Sequence, residues 1–243
     1  MTYCVGVLLD CGMVFASDSR TNAGLDDVSK FGKMTVFERK GDRIVVLLSS
    51  GNLAGTQTVI SMLRRRSAVE DAPTSLWSAP TMFDVVLRIS DVMREVEERD
   101  GKHLEESEIT FNASLIVGGQ VKGEPMRLFR IYAEGNFIEA GEDTPFLQTG
   151  EVKYGKPIID RVITRQTSLP DATKCVLVSF DSTMRSNISV GMPVDLLCYE
   201  RDTLEVRMRR RFERHDPYFD ALSNAWSEGT RAVFSKLPAL EWE

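Results

Sequence analysis

The sequence contains few of the residues that most often build metal centres, disulfide frameworks and histidine-based active sites. Its 243 residues include two histidines, His103 and His215, and neither lies in a metal-ligand motif. This scarcity argues against a catalytic triad that depends on histidine. The four cysteines are scattered along the chain and form no Cys-x-x-Cys pair. Their spacing argues against zinc and fits a reducing compartment, so we expect a cytoplasmic protein without a metal or another cofactor.

Long apolar runs and an excess of positive charge are missing as well. No run reaches the length of a transmembrane helix, and the N-terminus lacks a basic region followed by a signal-peptide core. The formal net charge of -6 makes general binding to nucleic acids or anionic membranes unfavourable. Two arginine clusters, at residues 64–66 and 207–214, lack interleaved aromatic residues, so we interpret them as solvated faces or subunit contacts. The chain carries no nucleotide-binding loop, and any use of ATP must therefore belong to a partner.

What the chain does contain is enough apolar sequence for a substantial core. Hydrophobic residues make up 42% of it, which suits one domain over residues 1–243. Strand patterns occupy residues 3–9, 13–16, 34–37, 43–49, 111–117, 128–132, 193–199 and 204–209. Helical patterns occupy residues 53–66, 81–99, 156–165 and 216–236, and residues 172–184 fit either a strand or a helix. This order predicts an α+β fold, a four-layer α/β/β/α sandwich of two antiparallel sheets flanked by helices.

Two local features of these patterns make definite structural predictions. Gly118-Gly119 follows an apolar strand pattern and is interpreted as a turn that ends the strand. In the helix at residues 216–236, apolar residues recur at helical spacing. They predict a buried face formed by Phe219, Leu222, Trp226 and Val233.

The N-terminus combines a candidate nucleophile with a predicted β-hairpin. Residues 3–16 form two apolar segments around a plausible two-residue turn, and in such a hairpin the numbers of opposite residues sum to 21. This register places Thr2 opposite Ser19 and one step from Asp18. If Met1 is removed, Thr2 carries a free α-amine beside its own hydroxyl. One residue then supplies both a nucleophile and a base for acyl transfer.

Several short motifs, in a fixed order and at characteristic spacings, extend this signal along the whole chain. They comprise Thr2 with Val5-Gly6-Val7, residues 12–20, Gly24, Lys33, Ser50-Gly51 with Ala54, Gln57 and Thr58, residues 149–151, Tyr154-Gly155-Lys156-Pro157, residues 181–187, and Ser189-Val190-Gly191. Through these motifs the sequence resembles the β-type subunits of proteasomes and related N-terminal nucleophile (Ntn) hydrolases. It is most similar to the bacterial group called Anbu. The resemblance implies the Ntn-hydrolase fold and a threonine peptidase.

The resemblance also implies a role for each matched residue. Thr2 would attack the scissile carbonyl, with its α-amine taking the proton. Lys33 would stabilise developing negative charge while Asp18 holds it in place. The Gly51 N–H would bind the oxyanion, and Ser189 is retained from the family's catalytic pattern. The residues expected to bind an extended substrate are Thr21, Asn22, Gly24, Ser49, Leu53 and Gln57. Among them, Thr21, Ser49, Leu53 and Gln57 would line the side-chain pocket, and this mixed lining predicts no sharp preference for charge.

The identity of the catalytic lysine is open at this point. Counted from Thr2, Lys33 falls one residue before the family's usual lysine, which requires a one-residue deletion in the preceding loop. Lys30 is the competing candidate. We favour Lys33 because it directly precedes the strand at residues 34–37, as the family's lysine does.

Two departures from the family pattern concern the α-amine. Gly150 occupies the place of a serine that lies near the nucleophile in proteasome subunits, and Ser186 replaces an aspartate. Asp181 or Ser182 is the candidate to supply the missing hydrogen bonds. These changes predict weaker turnover or a narrower substrate range than in a proteasome.

These inferences lead to one main functional hypothesis and two alternatives. The main hypothesis is a self-compartmentalising threonine endopeptidase that hydrolyses peptides or unfolded protein. It would act as a homo-oligomeric ring or ring-like helix, with a possible ATP-dependent unfoldase as partner. The alternatives are an amidase or transpeptidase that uses Thr2 on small amides, and an oligomeric assembly or binding protein whose catalytic group is silent. Retention of Met1 favours the last of these, because it blocks the amine.

Overall fold

This computed structural model describes residues 2–22, 28–106 and 111–241, which form the strands and helices of an α+β fold. The strands are β1 (Tyr3–Leu8), β2 (Gly12–Asp18), β3 (Arg20–Asn22), β4 (Val28–Lys30), β5 (Met34–Arg39), β6 (Arg43–Gly51), β7 (Ala113–Val121), β8 (Arg127–Ile131), β9 (Phe137–Glu139), β10 (Phe146–Gly150), β11 (Val194–Glu200) and β12 (Met208–Phe212). The α-helices are α1 (Leu53–Ser67), α2 (Met82–Glu105), α3 (Val152–Val162), α4 (Leu169–Ser186) and α5 (Pro217–Phe234).

Antiparallel pairing organises the strands into two large sheets and one small one. The first sheet has the order β10-β1-β2-β11-β12, and the second has the order β5-β6-β7-β8-β9. Strands β3 and β4 form a separate antiparallel pair. The predicted combination of antiparallel sheets with flanking helices is therefore confirmed. Among the described residues, no helix is both long and apolar enough to cross a membrane.

The N-terminal hairpin has the predicted register. Pairs run from Cys4 opposite Ser17 to Leu8 opposite Met13, and their numbers sum to 21. Strand β1 lies between β10 and β2 and is buried on both faces, which explains why its sequence is continuously apolar rather than alternating. Its successive side chains enter two different apolar cores, because neighbouring residues of a strand point to opposite faces.

Three apolar cores hold the sheets and helices together. One core lies between the second sheet and helices α1 and α2, where Val45, Leu47 and Leu115 meet the helices. Another lies between the two sheets. The last joins the first sheet to α3, α4 and the beginning of α5. The apolar residues of each sheet are thus divided between a core that includes helices and the core that the two sheets share.

The predicted turn at Gly118-Gly119 is wrong, because β7 continues through both glycines to Val121. Gly118 faces the core between the two sheets. A Cβ atom there would lie 2.7 Å from the Met13 Cε atom and 2.8 Å from the Phe15 Cζ atom. The glycine thus allows a close approach of the sheets rather than a change of chain direction.

The ambiguous segment at residues 172–184 belongs to helix α4, which begins three residues earlier than the pattern. Ser168 is the N-cap, and its hydroxyl oxygen accepts the Asp171 N–H. The strand-like run at Val176 is apolar because this part of the helix is buried on several sides against the first sheet. The sequence patterns also miss four strands of three to five residues, which are too short to show alternation: β3, β4, β9 and β10.

The predicted buried face of the C-terminal helix is only partly correct. Phe219 is buried and Leu222 packs against the core of the first sheet. Trp226 and Val233 are 41% and 64% exposed. The prediction fails for the second half of α5 because that half extends beyond the core formed with α4, so apolar periodicity alone did not determine burial there.

The position of Gly118 leads to a stability prediction. We expect Gly118→Ala to lower the free energy of unfolding by about 1–3 kcal/mol, because the added methyl group overpacks the core between the sheets. Gly141→Ala is the matched control, since a Cβ atom there meets nothing within 4 Å. Guanidinium denaturation followed by tryptophan fluorescence measures both variants. Equal midpoints for Gly118→Ala and the unmodified protein would contradict the close-approach role.

Candidate active site

A cavity of about 190 Å³ lies where the N-terminal end of β1, the loop before β5 and the start of α1 meet. Its lining residues are Thr2, Thr21, Lys33, Ser49, Ser50, Gly51, Leu53 and Thr56. The exposed fractions of Thr2 and Lys33 are 8% and 5%. Because both residues are shielded from solvent, charge interactions in the cavity are stronger than at an open surface.

Hydrogen bonds fix Thr2 to both neighbouring strands of the first sheet. The Thr2 carbonyl oxygen accepts the Glu151 N–H at 2.8 Å, just after β10. On the other side, the Tyr3 N–H donates to Asp18 Oδ1 at 3.0 Å. The buried Tyr3 side chain donates its hydroxyl to Ser179 Oγ at 3.0 Å. The backbone that carries the candidate nucleophile is therefore held in one position.

Asp18 and Lys33 form a buried ion pair beside Thr2. The Lys33 ammonium donates to Asp18 Oδ1 at 2.7 Å and to the Arg20 carbonyl oxygen at 2.6 Å. Lys30, the competing lysine, lies on β4 with an exposed side chain. Lys33 lines the cavity and Lys30 does not, so the geometry favours Lys33 over Lys30 as the candidate lysine of this site.

Burial influences the protonation of the groups around this pair. It raises the pKa of the Asp18 carboxyl group, while the Lys33 ammonium and the Tyr3 N–H act against that rise. Burial also raises the pKa of the Cys4 thiol, whose Sγ atom lies 3.7 Å from the Ser49 carbonyl oxygen. A protonated thiol is a poor nucleophile. Cys4 therefore does not compete with Thr2.

Gly51 ends β6 in a left-handed conformation, with φ of 94°. A Cβ atom there would lie 1.7 Å from the Asn112 carbonyl oxygen, so a side chain is excluded. Asn52 follows as the N-cap of α1, and its side-chain oxygen accepts the Gly55 N–H at 2.9 Å. The first turn of α1 forms part of the cavity wall. The partial positive charge at this helix end favours a developing anion.

Three of the predicted substrate-binding residues line the cavity beside Thr2. They are Thr21 on β3, Ser49 on β6 and Leu53 at the start of α1. The Thr21 hydroxyl is buried and has no hydrogen-bond partner within residues 2–22, 28–106 and 111–241. A buried polar atom of this kind is available to a ligand.

The other predicted substrate-binding residues have different positions. Gln57 does not line the cavity around Thr2 but lines a second pocket that adjoins it along α1. Asn22 is the last residue of β3. Gly24 and Met1 lie outside the described residues.

Ser189 lies in the loop between α4 and β11 rather than in the cavity wall. Its backbone N–H donates to Asn187 Oδ1 at 2.9 Å. The neighbouring Ile188 carbonyl oxygen accepts a hydrogen bond from Arg20 Nη1 at 2.6 Å. These contacts place the loop beside β3 and near the ion pair. Ser189 itself does not line the cavity.

The two departures near the α-amine have physical explanations. Gly150 has φ of 85°, and a Cβ atom there would lie 1.8 Å from the Thr2 carbonyl oxygen, so a serine does not fit without displacing Thr2. Asp181, which with Ser182 was a candidate to supply the missing hydrogen bonds, has other partners. Its Oδ1 accepts from Ser223 Oγ at 2.8 Å and its Oδ2 accepts from Arg185 at 3.0 Å. Both carboxylate oxygens of Asp181 thus face α5 and the end of α4.

Three polar residues at the site, Ser50, Thr56 and Thr149, were not among the predicted catalytic or substrate-binding residues. Ser50 and Thr56 line the cavity. Ser50 Oγ lies 2.8 Å from Thr149 Oγ1, a contact that joins the two sheets. Helical spacing from Leu53 could have identified Thr56. The Ser50–Thr149 contact joins residues that are 99 positions apart in the sequence, so no local pattern reveals it.

The buried ion pair leads to a double-mutant prediction. We expect Asp18→Asn and Lys33→Met each to destabilise the protein by about 3–5 kcal/mol, because each leaves the other group buried and unpaired. The double variant should lose less than the sum of the two single losses. Lys30→Met, at the exposed lysine, is the matched control and should change stability by no more than about 0.5 kcal/mol. Urea denaturation of the four variants measures these values, and strict additivity would contradict the pairing.

The same pair predicts a pH dependence. Lys33→Met removes a group that lowers the pKa of Asp18, so burial raises that pKa further in the folded variant. A folded-state pKa above the unfolded value means that the folded state binds more protons, and stability then falls as pH rises through the titration range. The loss of stability caused by Lys33→Met, measured against the unmodified protein, should therefore be smaller at about pH 5 than at about pH 8. Denaturation midpoints at both pH values test this, and a deficit that grows on acidification would contradict it.

Comparisons with known proteins place this architecture in a family. No protein-family model matches the chain, and a search of curated proteins gives no match. Among solved structures, the chain is similar to a Gly-1 mutant of Anbu from Hyphomicrobium sp. strain MC1, with 48% identity, a TM-score of 0.93 and coverage of 100% of both chains.

Two further structures support the same relationship. Anbu from Yersinia bercovieri, described as an ancestral β-subunit, has 45% identity and a TM-score of 0.93, with 99% of this chain and 100% of that chain covered. The helical assembly of the Anbu complex from Pseudomonas aeruginosa has 44% identity and a TM-score of 0.92, with 98% of each chain covered. The chain therefore belongs to the Anbu family, a group related to proteasome-type β-subunits.

Proposed function

We propose that this protein is a threonine-type peptidase whose nucleophile is Thr2 after removal of Met1. The main support is that Thr2, Lys33 and Gly51 line one small cavity. Asp18 accepts hydrogen bonds from the Lys33 ammonium and from the Tyr3 N–H, next to Thr2. A hydroxyl, a cation and a glycine at a helix N-terminus are the groups that acyl transfer needs.

The proposed reaction begins with attack by Thr2 Oγ on the scissile carbonyl carbon. The free α-amine of Thr2 takes the hydroxyl proton, directly or through one water molecule, because its reference pKa of about 7.7–8.0 lies near neutral pH. The proton then passes to the departing amine as the peptide bond breaks and an ester to Thr2 remains. Water hydrolyses that ester and restores the hydroxyl.

Two groups stabilise the charge that develops during this reaction. The Gly51 N–H is the proposed donor to the oxyanion, and the N-terminal end of α1 adds a favourable potential. The Lys33 ammonium stabilises the developing negative charge and also favours the neutral form of the nearby α-amine, since two like charges repel. Asp18 fixes the position of Lys33 through the 2.7 Å hydrogen bond.

The substrate is proposed to bind as an extended strand along β3. Thr21 and Asn22 on that strand, with Gly24 beyond it, would pair with the peptide backbone. Thr21 also has a hydroxyl without a partner in the described part of the chain, which supports its contact with a ligand. Ser49, Leu53 and Gln57 would surround the side chain that precedes the scissile bond, and Ser189 would support the site from the loop after α4.

The fold and the assembly are proposed from the packing of the cores and from the relationship to the Anbu family. The three apolar cores support a four-layer α/β/β/α sandwich of the Ntn-hydrolase type, formed by residues 1–243 as one domain. The Pseudomonas aeruginosa relative is described as a helical assembly. We infer that this chain likewise forms a homo-oligomer, a ring or a ring-like helix, in the cytoplasm. An ATP-dependent unfoldase is a proposed partner for delivery of unfolded substrates.

Mass spectrometry and a covalent probe test the proposed nucleophile. Intact mass should show the loss of one methionine, and a β-lactone or epoxyketone probe should label Thr2. Thr2→Ala should abolish labelling and peptide hydrolysis, whereas Thr2→Ser should retain part of both, since a hydroxyl and an α-amine are still present. Lys33→Met should reduce hydrolysis by at least about 100-fold, with Lys30→Met as the matched control that keeps full activity.

Three results would contradict the proposal or favour one of the two alternative functions. A mature, folded oligomer without a probe adduct, whose activities are unchanged by Thr2→Ala, would contradict it. Cleavage of small amides without cleavage of peptides would indicate an amidase or transpeptidase. Retention of Met1 in the assembled protein would indicate an assembly protein with a silent site.

A further inference from the structure

A second pocket adjoins the cavity around Thr2 and extends along helix α1. It has a volume of about 290 Å³. The two spaces share Ser49, Leu53 and Thr56 in their walls, and we refer to them together as the recess. The residues that belong only to the second pocket are Gly32, Thr35, Gln57, Ile60, Ser61 and Arg64.

The geometry of α1 explains how Arg64 reaches this pocket. Gln57, Ser61 and Arg64 follow Leu53 by 4, 8 and 11 positions, a spacing that keeps them on one face of a helix. Long side chains on a helix lean toward its N-terminus. We therefore expect the Arg64 side chain, which lines the pocket, to extend toward the end that adjoins the cavity containing Thr2.

The three consecutive arginines of this helix have different environments. Arg66 forms an ion pair with Glu95 of α2. Arg65 lines a neighbouring pocket that shares Gln57 and Ser61 with this one but does not include Arg64. Arg64 is exposed and has neither an ion pair nor a hydrogen bond with any described residue. Its positive charge is thus not used within the described chain.

The charge of the recess has one sign. Lys33 and Arg64 are the ionisable side chains in its walls, and no aspartate or glutamate of the described residues lines either space. Lys33 is already bonded to Asp18, which leaves Arg64 as the cation that can bind an anionic group. Neutral hydrogen-bonding side chains surround it: Thr35, Gln57 and Ser61.

We propose that Arg64 makes this pocket selective for a glutamate side chain immediately before the scissile bond. The inference rests on the proposed function and names its substrate class, peptides or unfolded segments with an acidic residue at that position. A guanidinium binds a carboxylate through charge-assisted hydrogen bonds, and the neutral side chains satisfy its remaining polar contacts. This proposal replaces the expectation that the pocket has no charge preference. That expectation was based on a set that included Gln57 but not Arg64, which lies two turns further along α1.

The geometry also ranks the competing residues. Aspartate is shorter by one methylene group than glutamate, so it reaches less far toward Arg64. Glutamine has the same shape as glutamate but no charge. Lysine adds a like charge next to Arg64 and Lys33 and is disfavoured. The expected order of preference is glutamate, then aspartate and glutamine, then lysine.

Fluorogenic peptides that differ only at the residue before the cleaved bond test this order. In the mature protein, kcat/KM should be about two- to fivefold higher for glutamate than for glutamine, the size expected for a partly exposed ion pair. Arg64→Gln should bring the ratio to about one. Arg65→Gln is the matched control, with the same change of charge one residue away, and should keep the original ratio. A ratio that Arg64→Gln leaves unchanged would overturn the inference.

A binding measurement separates failure of this inference from failure of the proposed function. If no peptide is hydrolysed, fluorescence anisotropy of labelled, amidated peptides with a central glutamate or glutamine is measured on the same proteins. Tighter binding of the glutamate peptide that Arg64→Gln removes would support the pocket assignment although the peptidase proposal fails. Equal binding of both peptides would overturn the pocket assignment. Hydrolysis of all peptides without a glutamate preference would leave the peptidase proposal intact and reject the role of Arg64.

Discussion

The antiparallel pairing of β1 with β2 determines where the groups of the candidate site lie. The two-residue turn fixes a register in which Cys4 is opposite Ser17, and this register brings the end of β2 back to the start of β1. Asp18 then accepts the Tyr3 N–H and the Lys33 ammonium with one carboxylate oxygen. A shift by one residue would turn every side chain of β1 to the opposite face, so the apolar cores on both faces also protect the geometry of the site.

Much of this arrangement could be predicted from local sequence, because its causes are local. The turn length determined the register of the hairpin, and Lys33 could be placed by the strand that follows it. Other features have causes that a local pattern does not contain. Gly118 looked like a turn residue, but its role depends on Met13 and Phe15 from the other sheet.

The same limit applies to the polar residues and to the C-terminal helix. Asp181 was one of two candidates to bind the α-amine, whereas its carboxylate accepts from Arg185 and from Ser223, which lies 42 positions away. The apolar face of α5 was predicted from spacing, but burial requires a second surface, and α4 covers only its first half. Arg64 was grouped with two neighbouring arginines, although helical geometry gives each of the three a different surrounding.

The Asp18–Lys33 pair has a consequence for how sequences of this family are interpreted. The pair supports folding as well as the proposed chemistry, since it closes the end of the hairpin and satisfies the backbone next to Thr2. A relative that has lost its activity would therefore still be under selection to keep both residues. Their presence in a sequence is evidence for the fold. Under the proposed function, the retention or loss of Thr2 is therefore a better marker of activity than the presence of this pair.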